Sequence, residues 1–110
     1  AMNDLMRPAM YEAWHGVQPA LLRDAPSKTY DVVGPVCESG DWLARSRELA
    51  ALPGDLLAIM SAGAYGMTMS SNYNTRGRAA EVMVDDKRVT LVRKREVPSD
   101  LFALESMLDD

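Results

Sequence analysis

Apolar residues along this chain fall in short runs bounded by proline, glycine and serine, a pattern typical of a protein built mainly of strands. The runs predict strands over residues 17–22, 30–33, 56–60, 67–71, 81–84 and 88–95. Asp85 and Asp86 lie between the last two runs, where a hairpin would turn. Five or six short strands at this spacing predict an antiparallel sheet that closes into a β-barrel or a β-sandwich.

Apolar residues recur at helical spacing only near the two ends of the chain. The first such segment indicates a short helix that begins at about Pro8, since proline fits the first turn of a helix. Near the other end, Ser99 and Asp100 would cap an amphipathic helix that runs to Leu108. The predicted fold is therefore mainly β, an antiparallel barrel or sandwich with a short helix at each end, in one domain over residues 1–110.

Composition excludes several partners. The chain has 110 residues, 47% of them apolar and 25% charged, which is typical of one soluble globular domain. A net charge of -4 argues against binding to nucleic acid, and the apolar runs are far shorter than the ~20 residues that cross a bilayer. Cys37 is the one cysteine and His15 the one histidine, so we expect no internal disulfide, no metal site and a reducing, cytoplasmic location.

The most unusual stretch for chemistry places Cys37 beside Glu38, directly after a Gly-Pro turn. A neighbouring carboxylate disfavours the thiolate, so a proton-donor role suits Cys37 better than a nucleophilic role. The alternative is a buried free cysteine that acts as a small hydrophobic residue. Adjacent residues of a strand point to opposite faces, so the two side chains could share a site only where the chain turns.

Two further groups could contact a ligand. Arg7 and Tyr11 are four residues apart, so they project from one side of a helix and could grip one carboxylate; a surface arginine stacked on a tyrosine is the alternative. Tyr65 lies between Gly63 and Gly66, and these glycines allow a ligand to approach the backbone closely, although a bulge at a sheet corner would also use them.

Five stretches in this order closely resemble the carboxy-terminal part of the diaminopimelate decarboxylase family, which belongs to the pyridoxal-phosphate-dependent decarboxylases of the alanine racemase type. They are MNDLMRPAMY at residues 2–11, CESGD at 37–41, GD at 54–55, GAYG at 63–66 and SNYNTR at 71–76. The related ornithine and arginine decarboxylases share the cysteine but typically place aspartate after it, so Glu38 favours the diaminopimelate family.

The resemblance implies a dimeric enzyme with a cofactor-binding (β/α)₈ barrel and a β-barrel domain, which converts meso-diaminopimelate to L-lysine and carbon dioxide. It implies that Arg7 and Tyr11 bind a substrate carboxylate and that Tyr65 lies at the cofactor and the substrate. Cys37 would protonate the α-carbon in the partner subunit's site, and Glu38 would recognise the distal end of the substrate.

The resemblance also implies that the cofactor barrel and its Schiff-base lysine lie outside these 110 residues. We therefore expect pyridoxal phosphate in the full-length enzyme but not on this chain alone, which would be inactive without the amino-terminal barrel. Two alternatives stay open: a non-catalytic dimerisation or interaction module, and the same scaffold from an ornithine- or arginine-type decarboxylase.

Overall fold

The computed structural model describes residues 1–109, and Asp110 lies outside the described part. The chain forms two compact units, Ala1–Ser70 and Ser71–Asp110. In chain order the helices and strands are α1 (Arg7–Tyr11), β1 (Val17–Pro19), β2 (Lys28–Val33), β3 (Trp42–Leu49), β4 (Leu57–Ile59), β5 (Glu81–Asp85), β6 (Arg88–Arg93) and α2 (Pro98–Leu101), with 3₁₀ helices at Met67–Met69 and Tyr73–Thr75. The prediction of a mainly β chain with a helix near each end is confirmed. The assignment of residues 1–110 to one domain stays a prediction.

The strands pair two by two and do not close. β1 pairs with β4, β2 with β3 and β5 with β6, all antiparallel. The strands of residues 1–109 therefore form no closed barrel. A barrel needs an unbroken ladder around its wall, whereas β1 and β4 have three residues each and the β2–β3 ladder changes register twice.

The longest strand, β3, was not predicted from the sequence. Ser46 interrupts its alternation of inward and outward residues, since it adopts a φ of 51° and its N–H donates a hydrogen bond to Asp31 Oδ1 at 2.8 Å. On either side of this irregularity Ala44 and Leu49 are buried. The burial of these two residues, rather than any sequence pattern, identifies β3 as the centre of the first unit.

Two predicted elements differ in the structure. Residues 67–71 were predicted as a strand, but Met67–Met69 form a 3₁₀ turn whose carbonyl at Met67 accepts a hydrogen bond from Ser70 Oγ at 2.6 Å. The carboxy-terminal helix ends at Leu101 instead of Leu108. Leu104 is fully exposed, and a short helix without packing for its apolar face is not stable in water.

The buried interior of the first unit is small. Leu5, Ala44 and Leu49 are its buried apolar residues, and α1 lies against β3. Pro8 is buried in α1, where a missing N–H at the first turn leaves no donor unsatisfied. Within residues 1–109, no helix has the length and apolar character that a membrane crossing requires.

The second unit is held by the β5–β6 hairpin and by a polar cluster around Glu96. The hairpin turns at Asp86, which adopts a φ of 49°, so the predicted turn is displaced by one residue. Glu96 Oε2 accepts hydrogen bonds from Asn72 Nδ2 at 2.7 Å and from the Arg78 N–H at 2.8 Å. These bonds join residues that are far apart in the sequence of this unit.

We expect the stability of the second unit to fall in acid through Glu96. The hydrogen bond from the backbone N–H of Arg78, aided by Asn72 and the Arg78 charge, lowers the pKa of Glu96 below its ordinary value of 4.5. A carboxyl group whose pKa is lower in the folded state stabilises the fold above its unfolded pKa, and this stabilisation is lost as the pH falls through the folded value. Denaturant unfolding of wild type and Glu96→Gln between pH 6 and pH 2 would show a smaller loss in the variant. Equal pH dependence in both proteins would contradict the role of Glu96.

Candidate functional site

The loop that precedes β3 is anchored by the buried carboxylate of Asp41. Asp41 Oδ1 accepts a hydrogen bond from the Met2 N–H at 2.6 Å, and Oδ2 accepts one from the Val36 N–H at 2.7 Å. The Gly34 N–H donates to the Asp41 carbonyl at 2.9 Å. A Cβ atom at Gly34 would overlap the Asp41 carboxylate, so glycine is required there for this close approach. Asp41 therefore joins the amino-terminal turn to both ends of the loop.

This anchored loop presents Cys37 and Glu38 to solvent. Cys37 is a free cysteine, and it is exposed within residues 1–109. Glu38 is exposed, and its Oε1 accepts a hydrogen bond from the Gly40 N–H at 3.3 Å. Because the loop turns here, the thiol and the carboxylate both lie at the surface of the first unit.

A separate cleft of ≈ 340 Å³ brings together Arg7, Tyr11 and Tyr65, with Met69 as a fourth lining residue. Arg7 and Tyr11 lie one helical turn apart at the two ends of α1. The Arg7 guanidinium carbon is 5.9 Å from the centroid of the Tyr65 ring, within the range of a cation–π contact. The alternative for this pair was an arginine stacked on Tyr11, whereas the aromatic contact of Arg7 in the structure is with Tyr65.

The backbone of Tyr65 explains how the ring reaches the cleft. Tyr65 has a φ of 57°, a left-handed conformation that tyrosine rarely adopts, and the Gly66 N–H donates to the Gly63 carbonyl at 3.2 Å. A Cβ atom at Gly66 would overlap the Ala62 carbonyl oxygen. The tight turn leaves Tyr65 66% exposed and turned towards the cleft.

The cleft can bind an anion. The guanidinium of Arg7 makes no ion pair within residues 1–109, and two phenol groups lie beside it. A guanidinium fork with neighbouring hydroxyl donors matches a carboxylate or a phosphate. Cys37 and Glu38 do not line this cleft, so the structure groups three of the five predicted residues and leaves two on the loop before β3.

Two contributors have no assigned role in the sequence analysis. The sequence marks Asp41 only as part of a motif, although an aspartate between a glycine-containing loop and a strand is a common anchor for backbone N–H groups. Met69 lies in a segment predicted as a strand, and no sequence signal placed it in the cleft. Both depend on contacts between distant parts of the chain.

The donor set does not suit every cofactor. In the part of the chain that the structure describes, no group of histidine, cysteine and acidic residues could bind a metal ion. Lysine is absent from the lining of the cleft, so this cleft offers no amine for a Schiff base. Arg7 and Tyr65 instead offer a guanidinium fork and an aromatic ring to an anionic ligand.

Comparison with known families gives a clear match. The family "Pyridoxal-dependent decarboxylase, C-terminal sheet domain" matches residues 1–63. The chain is similar to the diaminopimelate decarboxylase of Pseudomonas aeruginosa, with 61% identity over 108 residues, 98% of this chain and 26% of the relative. It is 59% identical to that of Pseudomonas fluorescens over 110 residues, 100% of this chain and 26% of the relative. The chain thus spans about a quarter of the length of these curated relatives.

Solved structures agree. The crystal structure of the diaminopimelate decarboxylase from M. jannaschii in complex with L-lysine matches 97% of this chain and 25% of its own, with 44% identity and a TM-score of 0.92. At this identity the likeness extends to sequence as well as to fold.

We expect Asp41→Asn to loosen the loop. An asparagine keeps the shape but places an NH₂ group against a backbone N–H, and hydrogen bonds to a charged acceptor contribute about 1.5–3 kcal/mol each. Unfolding free energy should fall by about that amount, and amide hydrogen exchange at Val36 should accelerate. Asp24→Asn, an exposed aspartate, is the matched control and should change neither. Unchanged exchange at Val36 in the Asp41 variant would refute the anchor.

Proposed function

Because this chain belongs to the family of pyridoxal-dependent decarboxylase C-terminal sheet domains, we propose that it supplies substrate-binding and proton-donor groups to a diaminopimelate decarboxylase. The reaction removes carbon dioxide from meso-2,6-diaminopimelate to give L-lysine. The observation that carries the proposal is the cleft in which Arg7, Tyr11 and Tyr65 meet, together with a loop of the same unit that exposes Cys37 and Glu38. The names of the relatives and the L-lysine bound to the M. jannaschii enzyme support the substrate class.

Arg7 and Tyr11 bind a carboxylate of the substrate in this proposal. The guanidinium gives a bidentate contact and the phenol adds one donor from the next turn of α1. Tyr65 contacts both the cofactor and the substrate, and its contact with Arg7 at 5.9 Å keeps the ring beside the bound carboxylate. Together these groups orient the amino acid and leave its reacting carbon free.

Cys37 acts as the proton donor. When bound, pyridoxal phosphate accepts the electron pair that remains at the α-carbon after the C–C bond to carbon dioxide breaks. The S–H bond of Cys37 then breaks as the new C–H bond forms, and the exposed sulfur regains a proton from water. Glu38, the adjacent exposed carboxylate, pairs with the ammonium group at the distal end of the substrate.

The remaining partners follow from the family. Pyridoxal phosphate and its Schiff-base lysine belong to an amino-terminal (β/α)₈ barrel of the full-length enzyme, and this chain alone is inactive and does not bind the cofactor. The paired strands of this chain join others there to complete a β-barrel. The enzyme is a cytoplasmic homodimer, in which Cys37 and Glu38 reach the active site of the second subunit. That arrangement accounts for their position outside the cleft of Arg7.

Cys37→Ala in the full-length enzyme tests the chemistry. We expect kcat for diaminopimelate to fall by about 10²–10⁴-fold, the usual contribution of a positioned proton donor, with little change in KM. Ser39→Ala in the same exposed loop is the matched control and should keep the wild-type kcat.

The substrate is tested by measuring carbon dioxide release by the wild-type full-length enzyme with diaminopimelate, ornithine and arginine. Preference for ornithine or arginine would replace the proposed substrate, and no release from any of them would favour a non-catalytic interaction module.

Mixing subunits tests the shared site. Dimers of Cys37→Ala and of Arg7→Ala should each be nearly inactive. After dissociation and reassociation at equal amounts, half of the dimers are hybrids, and one of the two sites in each hybrid has neither defect if the cleft and Cys37 serve different subunits. Activity should then recover to about a quarter of wild type. No recovery from verified hybrids would place both residues in one subunit's site.

A further inference from the structure

We infer that His15 is a positioning residue for the cleft: its imidazole pins the segment that carries Tyr65 to the segment that carries Arg7 and Tyr11. The inference rests on the proposed function of that cleft as the substrate-binding part of the decarboxylase. Sequence alone suggested only a packing or capping role for this histidine. The structure places it between the two segments whose ends form the cleft.

The contact is a buried hydrogen bond. His15 is 3% exposed, and its Nδ1 lies 3.1 Å from the carbonyl oxygen of Met60. A carbonyl oxygen can only accept, so Nδ1 carries a hydrogen and donates it. Beside it the Met60 N–H donates to the Gly16 carbonyl at 2.7 Å. The carbonyl and the N–H of Met60 are thus both bonded, to the consecutive residues His15 and Gly16.

This pair of bonds lies at the end of a strand ladder. β1 and β4 pair with Val17 opposite Ile59, and the bond between Met60 and Gly16 extends the ladder by one residue. Ser61 then adopts a φ of 54°, and the chain leaves the extended conformation. The His15 side chain therefore supplies a further bond where the backbone ladder stops.

Two arms run from this point to the cleft. One runs back from His15 to Tyr11, four residues away, and the other runs forward from Met60 to Tyr65, five residues away. Their tips meet where the Arg7 guanidinium faces the Tyr65 ring. Tyr65 is 66% exposed, so few contacts at its own position hold it. The distance between Arg7 and Tyr65 consequently depends on the hydrogen bond between His15 and Met60, which joins the two segments.

The second ring nitrogen strengthens the assignment. His15 Nε2 is buried and has no hydrogen-bond partner within residues 1–109. An unpaired buried nitrogen is unfavourable, so leucine would fill the same space at lower cost. The bond from Nδ1 to Met60 is what histidine offers here and leucine does not. The residue is therefore better explained by that bond than by space filling.

Three variants of the full-length holoenzyme test the inference. His15→Leu fills the space without a donor, and His15→Asn keeps an N–H near the position of Nδ1. We expect His15→Leu to raise KM for diaminopimelate about tenfold with a smaller change in kcat, because substrate binding is lost rather than chemistry. His15→Asn should restore most of the wild-type KM. Trp14→Phe, at the exposed neighbouring residue, is the control and should keep it.

Hydrogen exchange gives a readout that does not depend on activity. Amides of residues 61–66 should exchange faster in His15→Leu than in wild type and regain protection in His15→Asn. If the leucine variant does not fold, His15→Asn and His15→Gln, whose donor is one bond farther out, give the same comparison.

Unchanged KM and exchange in His15→Leu would overturn the inference, as would equal impairment of the leucine and asparagine variants. If the wild-type enzyme releases no carbon dioxide from diaminopimelate, ornithine or arginine, the proposed function fails. The hydrogen-exchange result still decides whether His15 stabilises residues 61–66.

Discussion

The buried carboxylate of Asp41 is the constraint on which the first unit depends, because it joins the amino-terminal turn to the loop before β3. Met2 and Val36 donate to its two oxygens, and Met2 lies 39 residues away in sequence. A buried charge is unfavourable unless hydrogen bonds satisfy it, so the amino-terminal turn and the loop must stay where their N–H groups reach Asp41. Gly34 makes room for this arrangement by having no side chain. The start of α1 and the start of β3 are thereby placed side by side.

In each unit, polar contacts join residues that are far apart in the sequence. Few apolar side chains are buried in the first unit, while both faces of the β5–β6 hairpin expose large apolar residues, among them Val84, Val89 and Leu91. The hydrophobic term scales with apolar area removed from water, so it is modest here. Asp41 in the first unit and Glu96 in the second supply long-range connections through backbone N–H groups. Such bonds are directional, and they suit the task of presenting side chains at defined places on a small scaffold.

Local signals in the sequence were sufficient where a residue acts through its own backbone. Pro8 marked the first turn of α1, and two aspartates marked the hairpin to within one residue. Local signals failed where the structure of a residue depends on a hydrogen bond to another part of the chain. β3 was missed since Ser46 breaks its alternation through a bond to Asp31, and the turn after Gly66 replaced a predicted strand because Ser70 satisfies the Met67 carbonyl.

The same contrast between local signals and contacts between distant residues applies to the candidate site. The sequence alone predicted which residues carry chemistry, namely Arg7, Tyr11, Cys37, Glu38 and Tyr65, and it determined which family the chain resembles, because residue type and order are enough for that comparison. Only the tertiary structure decided that Tyr65 meets Arg7 in a cleft and that Cys37 lies on another loop. Those placements result from hydrogen bonds of Asp41 and His15 to residues far away in the chain, and no local pattern encodes such pairs.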